Sequence, residues 1–283
     1  MSCPSHGLMS VDDVLQRLQQ AACIKIPSIE QVLVTQALGR VLAEDIVSAV
    51  DVPPQANSAM DGYAIHIDDL QHSQILPISQ RIAAGSAPQA LQRGTAARIF
   101  TGAVIPEGAN AVVMQENTQL TADGLVQVLQ CPDVQENIRP QGQDIACGTT
   151  ILRQGEKLSP AAIGLLATIG KTSIKVYQRL KVIYFCTGDE LAQAEQKLKV
   201  GQIYNSNSPL LGALLTEQGY EAIDGGVIAD NLPATIQALA QAAQQADVVM
   251  TTGGVSVGEE DHVKAALQQI GQLDLWKVAL KPG

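Results

Sequence analysis

From Val182 onwards, short apolar runs alternate with helical patterns, and this alternation restricts the fold more than any other feature of the chain. Val182–Cys186, Glu221–Ile228, Val248–Met250 and Leu275–Leu280 are brief and rich in β-branched residues, which favours strands. Between them, Pro209–Gln218, Pro233–Ala246 and His262–Ile270 read as helices. Strand–helix–strand crossovers are almost always right-handed, so strict βαβαβαβ alternation predicts a parallel, doubly wound sheet. Gly225-Gly226 interrupts the second strand.

In such sheets ligands bind beyond the carboxyl ends of the strands. The four exits are Thr187-Gly-Asp-Glu190, Ala229-Asp-Asn231, Thr251-Thr-Gly-Gly254 and Lys281-Pro-Gly283. Gly253 and Gly254 lack a Cβ, so a ligand can approach the backbone, and a helix start follows; that is an anion-cradling geometry. The same turn nevertheless carries Glu259, Glu260 and Asp261. Each carboxylate alone reads equally well as a helix cap, and Asp261 stands where an N-cap belongs. Together, Glu190, Asp230 and Asp261 put negative charge on three of the four exits. A polyanion there would be repelled by roughly 1–4 kcal/mol per close charge pair in wet surroundings. A divalent cation, Mg²⁺ on oxygen ligands, reverses the sign, and Lys277 and Lys281 add positive charge from the neighbouring strand. The residues point to a metal-assisted site for a phosphate-bearing or oxyanion ligand.

Upstream, Ser10 caps an amphipathic helix through Val11, Val14, Leu15 and Leu18, with Asp12 and Asp13 in its first turn. Val32–Thr35 and Val41–Val47 are apolar stretches around a turn at Gly39. Pro53–Tyr63 is stiff and then turn-forming, and Asp61-Gly62 reads as an Asp-Gly turn. Ile75–Ile82, Ala96–Phe100, Ala111–Gln115 and Leu125–Leu129 are short β-runs between glycine turns, which predicts a small β-rich domain. Pro160 opens a helix after Ser159 that stops at Gly170.

The 283 residues imply two or three domains. A net charge of −10 excludes a sequence-independent nucleic-acid binder, which needs a basic face. No stretch reaches the roughly 20 apolar residues of a membrane span, and the N-terminus lacks a signal-peptide pattern. A cytoplasmic protein is expected. Cys3, Cys23, Cys131, Cys147 and Cys186 form no CxxC pair, and His6, His66, His72 and His262 are scattered, so reduced thiols and no zinc centre are expected. Cys186 reads as a core thiol and His262 as a first-turn surface residue. Gly164–Thr172 imitates a P-loop but closes a helix instead of following a strand, and Gly253–Gly258 is not a dinucleotide fingerprint.

Eight stretches in order give the chain a family resemblance: Ser58–Ala64, Ile99–Gly102, Ala111–Glu116, Ile138–Asp144, Cys186–Glu190, Tyr204–Asn207, Gly253–Asp261 and Trp276–Gly283. With them the chain resembles the molybdopterin molybdenumtransferases, the MoeA and gephyrin E-domain family. The resemblance implies an α/β multidomain protein with a doubly wound, mostly parallel, MoaB/Mog-like sheet at 181–283. It also implies a β-rich domain at 48–144 and a discontinuous, elongated α/β linker domain at 1–47 with 145–180. The implied activity is insertion of molybdate into adenylylated molybdopterin with Mg²⁺-dependent release of AMP. The implied partners are a second copy, in a homodimer with a shared active site, and a molybdopterin adenylyltransferase. Carried over by motif, Glu190, Asp230 and Asp261 would hold the metal or position the pyrophosphate, and Asp61 and Thr101 would complete the site. Gly253, Gly254 and Ser256 would receive phosphate, and Lys277 and Lys281 would meet the oxyanions. Two rivals differ in class: an adenylyltransferase-type enzyme, which would not need Met60-Asp-Gly-Tyr63, and a catalytically impaired dimeric scaffold. His262 and Gln143 depart from the family pattern. The motif at Trp276–Gly283 normally continues with Lys-Pro, so the resemblance also implies a shortened chain without the family's C-terminal β-domain.

Overall fold

The computed structural model describes residues 9–22, 26–253, 262–275 and 278–279. Its helices are α1 (Val11–Ala22), α2 (Pro160–Thr168), α3 (Asn207–Gln218), α4 (Leu232–Gln245) and α5 (His262–Ile270). The chain forms two compact units, Met1–Gln31 with Lys175–Gly283, and Val32–Ile174.

In the first unit three strands lie in the order Glu221–Ile228, Lys181–Thr187, Val248–Thr252, all parallel, as the alternation predicts. Side chains of a strand point to alternate faces. Accordingly Val182 and Tyr184 pack with Leu215 of α3, while Ile183 and Phe185 pack with Ile228 and with Ala242 of α4. Helices therefore cover both faces of the sheet. Cys186 is fully buried in the central strand. The glycine pair in Glu221–Ile228 is a bulge: Tyr184 pairs with Asp224, but Cys186 pairs with Val227. A Cβ at Gly225 would overlap the Phe185 ring, and Gly226 has φ 83°. Of the fourth strand expected at Leu275–Leu280, the described part is one parallel bridge from Val278 to Met9, not to the sheet; Trp276, Lys277 and Leu280 lie outside the described residues. At the start of α1 the Asp13 amide donates to Ser10 Oγ at 3.1 Å, the expected cap.

The second unit is built on a four-stranded sheet in the order Ile78–Ile82, Ala96–Ile99, Gly62–Ile65, Ala111–Met114. Tyr63, Ile65 and Val113 are buried in one core cluster, and Ala64, Ala97, Ile99 and Val112 in another. Gly62–Ile65 is buried throughout and sits inside the sheet, although its Asp-Gly start reads as a turn. The expected run Ile75–Ile82 divides at Pro77. Ile75–Leu76 pairs instead with Val126–Val128 in a separate three-stranded sheet, and the Pro77 carbonyl accepts from the Ala96 amide. Proline has no N–H to donate and so ends one ladder there.

α2 follows its sequence signals closely. Ser159 Oγ accepts from the Ala162 amide at 3.2 Å and Pro160 takes the first turn. Gly170 has φ 74°, and Lys171 N–H reaches the Leu166 carbonyl, a glycine-terminated helix end. The P-loop imitation is thus a helix and its cap. Ser159→Ala should cost about 1 kcal/mol, measured as a lower denaturation midpoint at unchanged m-value. No change would show that another group caps α2.

Candidate functional site

The second unit brings Asp61 and Thr101 together across 40 residues of sequence. Ser58, fully buried, arranges this. Its N–H donates to the Ala103 carbonyl, its carbonyl accepts from the Gly102 amide, and its hydroxyl donates to the Met60 carbonyl at 2.6 Å. The loop before Gly62 is thereby tied to the Thr101 turn, where Gly102 has φ 78°. Asp61 Oδ1 then accepts from the Thr101 amide at 2.8 Å and from Thr101 Oγ1 at 2.7 Å. Its carbonyl accepts from the Gln115 amide. The carboxylate is therefore engaged with a distant loop, and the Asp-Gly turn reading does not hold. The two bonds from Thr101 hold its carboxyl below the usual carboxylate range; desolvation opposes them, and the Arg98 charge adds to them. Asp61 is ionised at neutral pH.

In the first unit, the exits of the two neighbouring strands are locked side by side. Thr187 Oγ1 donates to the Thr252 carbonyl, and a Cβ on Gly253, at φ 95°, would overlap that hydroxyl. Glu190 is exposed, and its carboxylate folds over Gly188, where a Cβ would overlap it. At the next exit, the capping alternative for Asp230 fails, because Asn231 is the cap: its Oδ1 accepts from the Ala234 amide at 2.9 Å. Asp230 is half-buried just before that helix. His262 opens α5. Gly254, Ser256, Asp261, Lys277 and Lys281 lie outside the described residues.

Two features escaped the sequence reading. Arg98 donates to Gln115 Oε1 at 2.7 Å and to the Gly62 carbonyl at 3.1 Å, beside Asp61. Only the strand register, which no motif reports, reveals this. An open pocket of about 500 Å³ lies within the first unit, lined by Tyr184, Asn205, Ser208 and Asp224 among others. There Asp224 accepts from Ser208 Oγ at 2.6 Å and from the Gly226 amide at 2.8 Å. The sequence signal was the Tyr204–Asn207 stretch immediately before it.

Among the described residues no three His, Cys, Asp or Glu side chains form a metal-holding group, and Cys131, Cys147 and Cys186 are free thiols. Among them, too, no helix is long and apolar enough to cross a membrane. Glu190 and Asp230 nevertheless make no ion pair with the described residues. Mg²⁺ is commonly held by only one or two carboxylates plus substrate phosphates, so these two fit such an ion.

A parallel sheet wrapped by helices on both faces, with carboxylates at adjacent strand exits, defines an α/β ligand-binding module, here joined to a β-rich unit. Residues 9–170 match the family model described as MoeA N-terminal region (domain I and II), and residues 183–283 match the probable molybdopterin binding domain. The chain belongs to the MoeA family. It is 44% identical to the molybdopterin molybdenumtransferase of Haemophilus influenzae over 249 residues, covering 88% of this chain and 62% of that protein. It is 40% identical to the enzyme of the same name from Nostoc, covering 87% and 58% respectively. The chain thus spans about three fifths of the length of these curated relatives. Among solved structures, the molybdopterin biosynthesis MoeA protein from Pyrococcus horikoshii OT3 superposes with a TM-score of 0.78 at 32% identity, covering 87% of this chain and 66% of that one. A second Pyrococcus MoeA structure gives 0.80 at 30%, covering 98% and 70%.

Proposed function

We propose that the chain acts in the insertion of molybdate into adenylylated molybdopterin, with release of AMP. The carrying observation is the pair of carboxylates, Glu190 and Asp230, at adjacent exits of a parallel sheet, free of cationic partners among the described residues. The names of the relatives support the same substrate class. Glu190, Asp230 and Asp261 would hold Mg²⁺, which when bound offsets phosphate charge as a Lewis acid. Gly253, Gly254 and Ser256 would receive the phosphate, and Lys277 and Lys281 would neutralise oxyanion charge. Asp61, kept ionised by Thr101, would orient the reacting phosphate or water.

Asp61 and Thr101 belong to one unit and Glu190 and Asp230 to the other. The proposal is a homodimer in which one copy's β-rich domain (48–144) completes the site on its partner's doubly wound domain (181–283). The linker domain (1–47 with 145–180) spaces them. A molybdopterin adenylyltransferase supplies the substrate, and the setting is the cytoplasm. α1 favours a second copy, because Leu15 and Leu18 are each 51% exposed on its apolar stripe.

The test has two arms. Asp261→Asn should abolish AMP release from adenylylated molybdopterin while leaving the unfolding transition in place; unchanged release would sink the assignment. Mixing Asp61→Asn with Asp261→Asn chains should restore part of the activity, since one site in some mixed dimers is intact. No recovery would place the site within one chain.

A further inference from the structure

The sheet face that carries Asp61 also carries two arginines. Arg81 and Arg98 occupy paired positions on the adjacent parallel strands Ile78–Ile82 and Ala96–Ile99. Both guanidiniums stack on one ring, Arg81 Cζ at 4.5 Å and Arg98 Cζ at 4.7 Å from the Phe100 centroid. Arg98 also lies 5.1 Å from the Tyr63 ring. The acceptors of Arg98, the Gly62 carbonyl and Gln115 Oε1, are uncharged. Among the described residues neither arginine is ion-paired. Asp61 acts on Arg98 only through space, its Oδ1 being bonded to Thr101.

Two like charges on neighbouring strands repel, and the aromatic faces offset only part of that. The chain has 28 acidic residues against 18 basic ones, so carboxylates were available to pair with both arginines. Instead the ring fixes the planes of two guanidiniums and leaves N–H donors open, the arrangement that recognises oxyanions by forked hydrogen bonds.

We propose that Arg81 and Arg98 form a binding site for a tetrahedral oxyanion beside the Asp61–Thr101 pair. Arg98 is the oriented wall, fixed by Gln115, the Gly62 carbonyl, Tyr63 and Phe100. Arg81, exposed on the edge strand, is the arm that completes the grip. The site lies wholly within the second unit and stands or falls independently of the reaction proposed above. The same chemistry has two sources: a free oxyanion such as phosphate or molybdate, or the phosphate group of a nucleotide.

Isothermal titration of the whole chain at low ionic strength, with inorganic phosphate, molybdate and AMP as probes, tests this. The wild type should bind at least one probe, more weakly as salt rises. Arg81→Gln should weaken binding tenfold or more, Arg98→Gln at least as much, and Arg81→Lys should retain part of it. Preference for the free ions or for AMP identifies the source, and either preference supports the site. No binding of any probe by the wild type, or unchanged affinity in Arg81→Gln with an unchanged melting temperature, overturns it. Arg81 is a surface residue, so the outcome does not hinge on folding.

Discussion

Gly62→Ala is expected to destabilise the second unit by about 3 kcal/mol or more, at the upper end of overpacking effects. A Cβ at this position would overlap the carbonyl of Val113. That carbonyl belongs to backbone and cannot rotate aside like a side chain. Gly62 pairs with Met114 on one side and Ile99 on the other, so relief on one ladder tightens the other. Gly164→Ala in α2 is the control. Nothing lies within 4 Å of the added methyl, and alanine in a helix is better than glycine by roughly 0.5–1 kcal/mol. Chemical denaturation of the two variants should therefore give changes of opposite sign. A loss below about 0.5 kcal/mol for Gly62→Ala, well under the range for overpacking, would show that these strands separate without cost.

Asp61→Ala should lower AMP release by roughly two to three orders of magnitude, the scale of losing one preorganised polar group at a reaction centre. Thr101→Ala should lower it much less. Asp61 Oδ1 accepts two bonds from Thr101, and the one from the backbone amide survives removal of the hydroxyl. The folded-state carboxyl is held below its ordinary value by those bonds. Asp61 thus stays ionised across the neutral range and loses its charge only when the pH falls below the usual carboxylate range. The acid limb of the activity profile should move up in Thr101→Ala, which removes one bond to the ionised form. Equal losses in both variants, with no movement of that limb, would show that Thr101 acts directly and not through Asp61.

The doubly wound half was legible because its order is written locally. β-branched runs, helical spacing and the Gly225-Gly226 interruption each appear in a few consecutive residues. The capped ends of α2 were legible for the same reason. The Gly62–Ile65 strand was not, because its identity rests on neighbours 35 to 50 residues away. Locally it opens with Asp-Gly, a turn signal. Pro77 had the opposite effect: periodicity runs through it, while the missing N–H sends its two flanks to different sheets. Within the site, the exits were legible from topology alone, as the order of strands bears out. The Asp61–Thr101 bond and the Arg81–Phe100–Arg98 stack depend on register, which composition and spacing do not carry.

The bulge at Gly225-Gly226 has a consequence for the exit that follows it. Ile223 and Ile228 are five residues apart, an odd interval that in a regular strand sends side chains to opposite faces. Both nevertheless pack against the α4 layer, because Ile183 and Thr187, their partners, are four apart. The glycine pair therefore works as a phase shifter. It absorbs one residue, so that everything downstream, Asp230 included, emerges in step with the central strand. Length changes here are not graded. Loss of a single residue could leave the ladder of hydrogen bonds intact and still turn Asp230 away from Glu190, whereas two residues lost together would keep the parity.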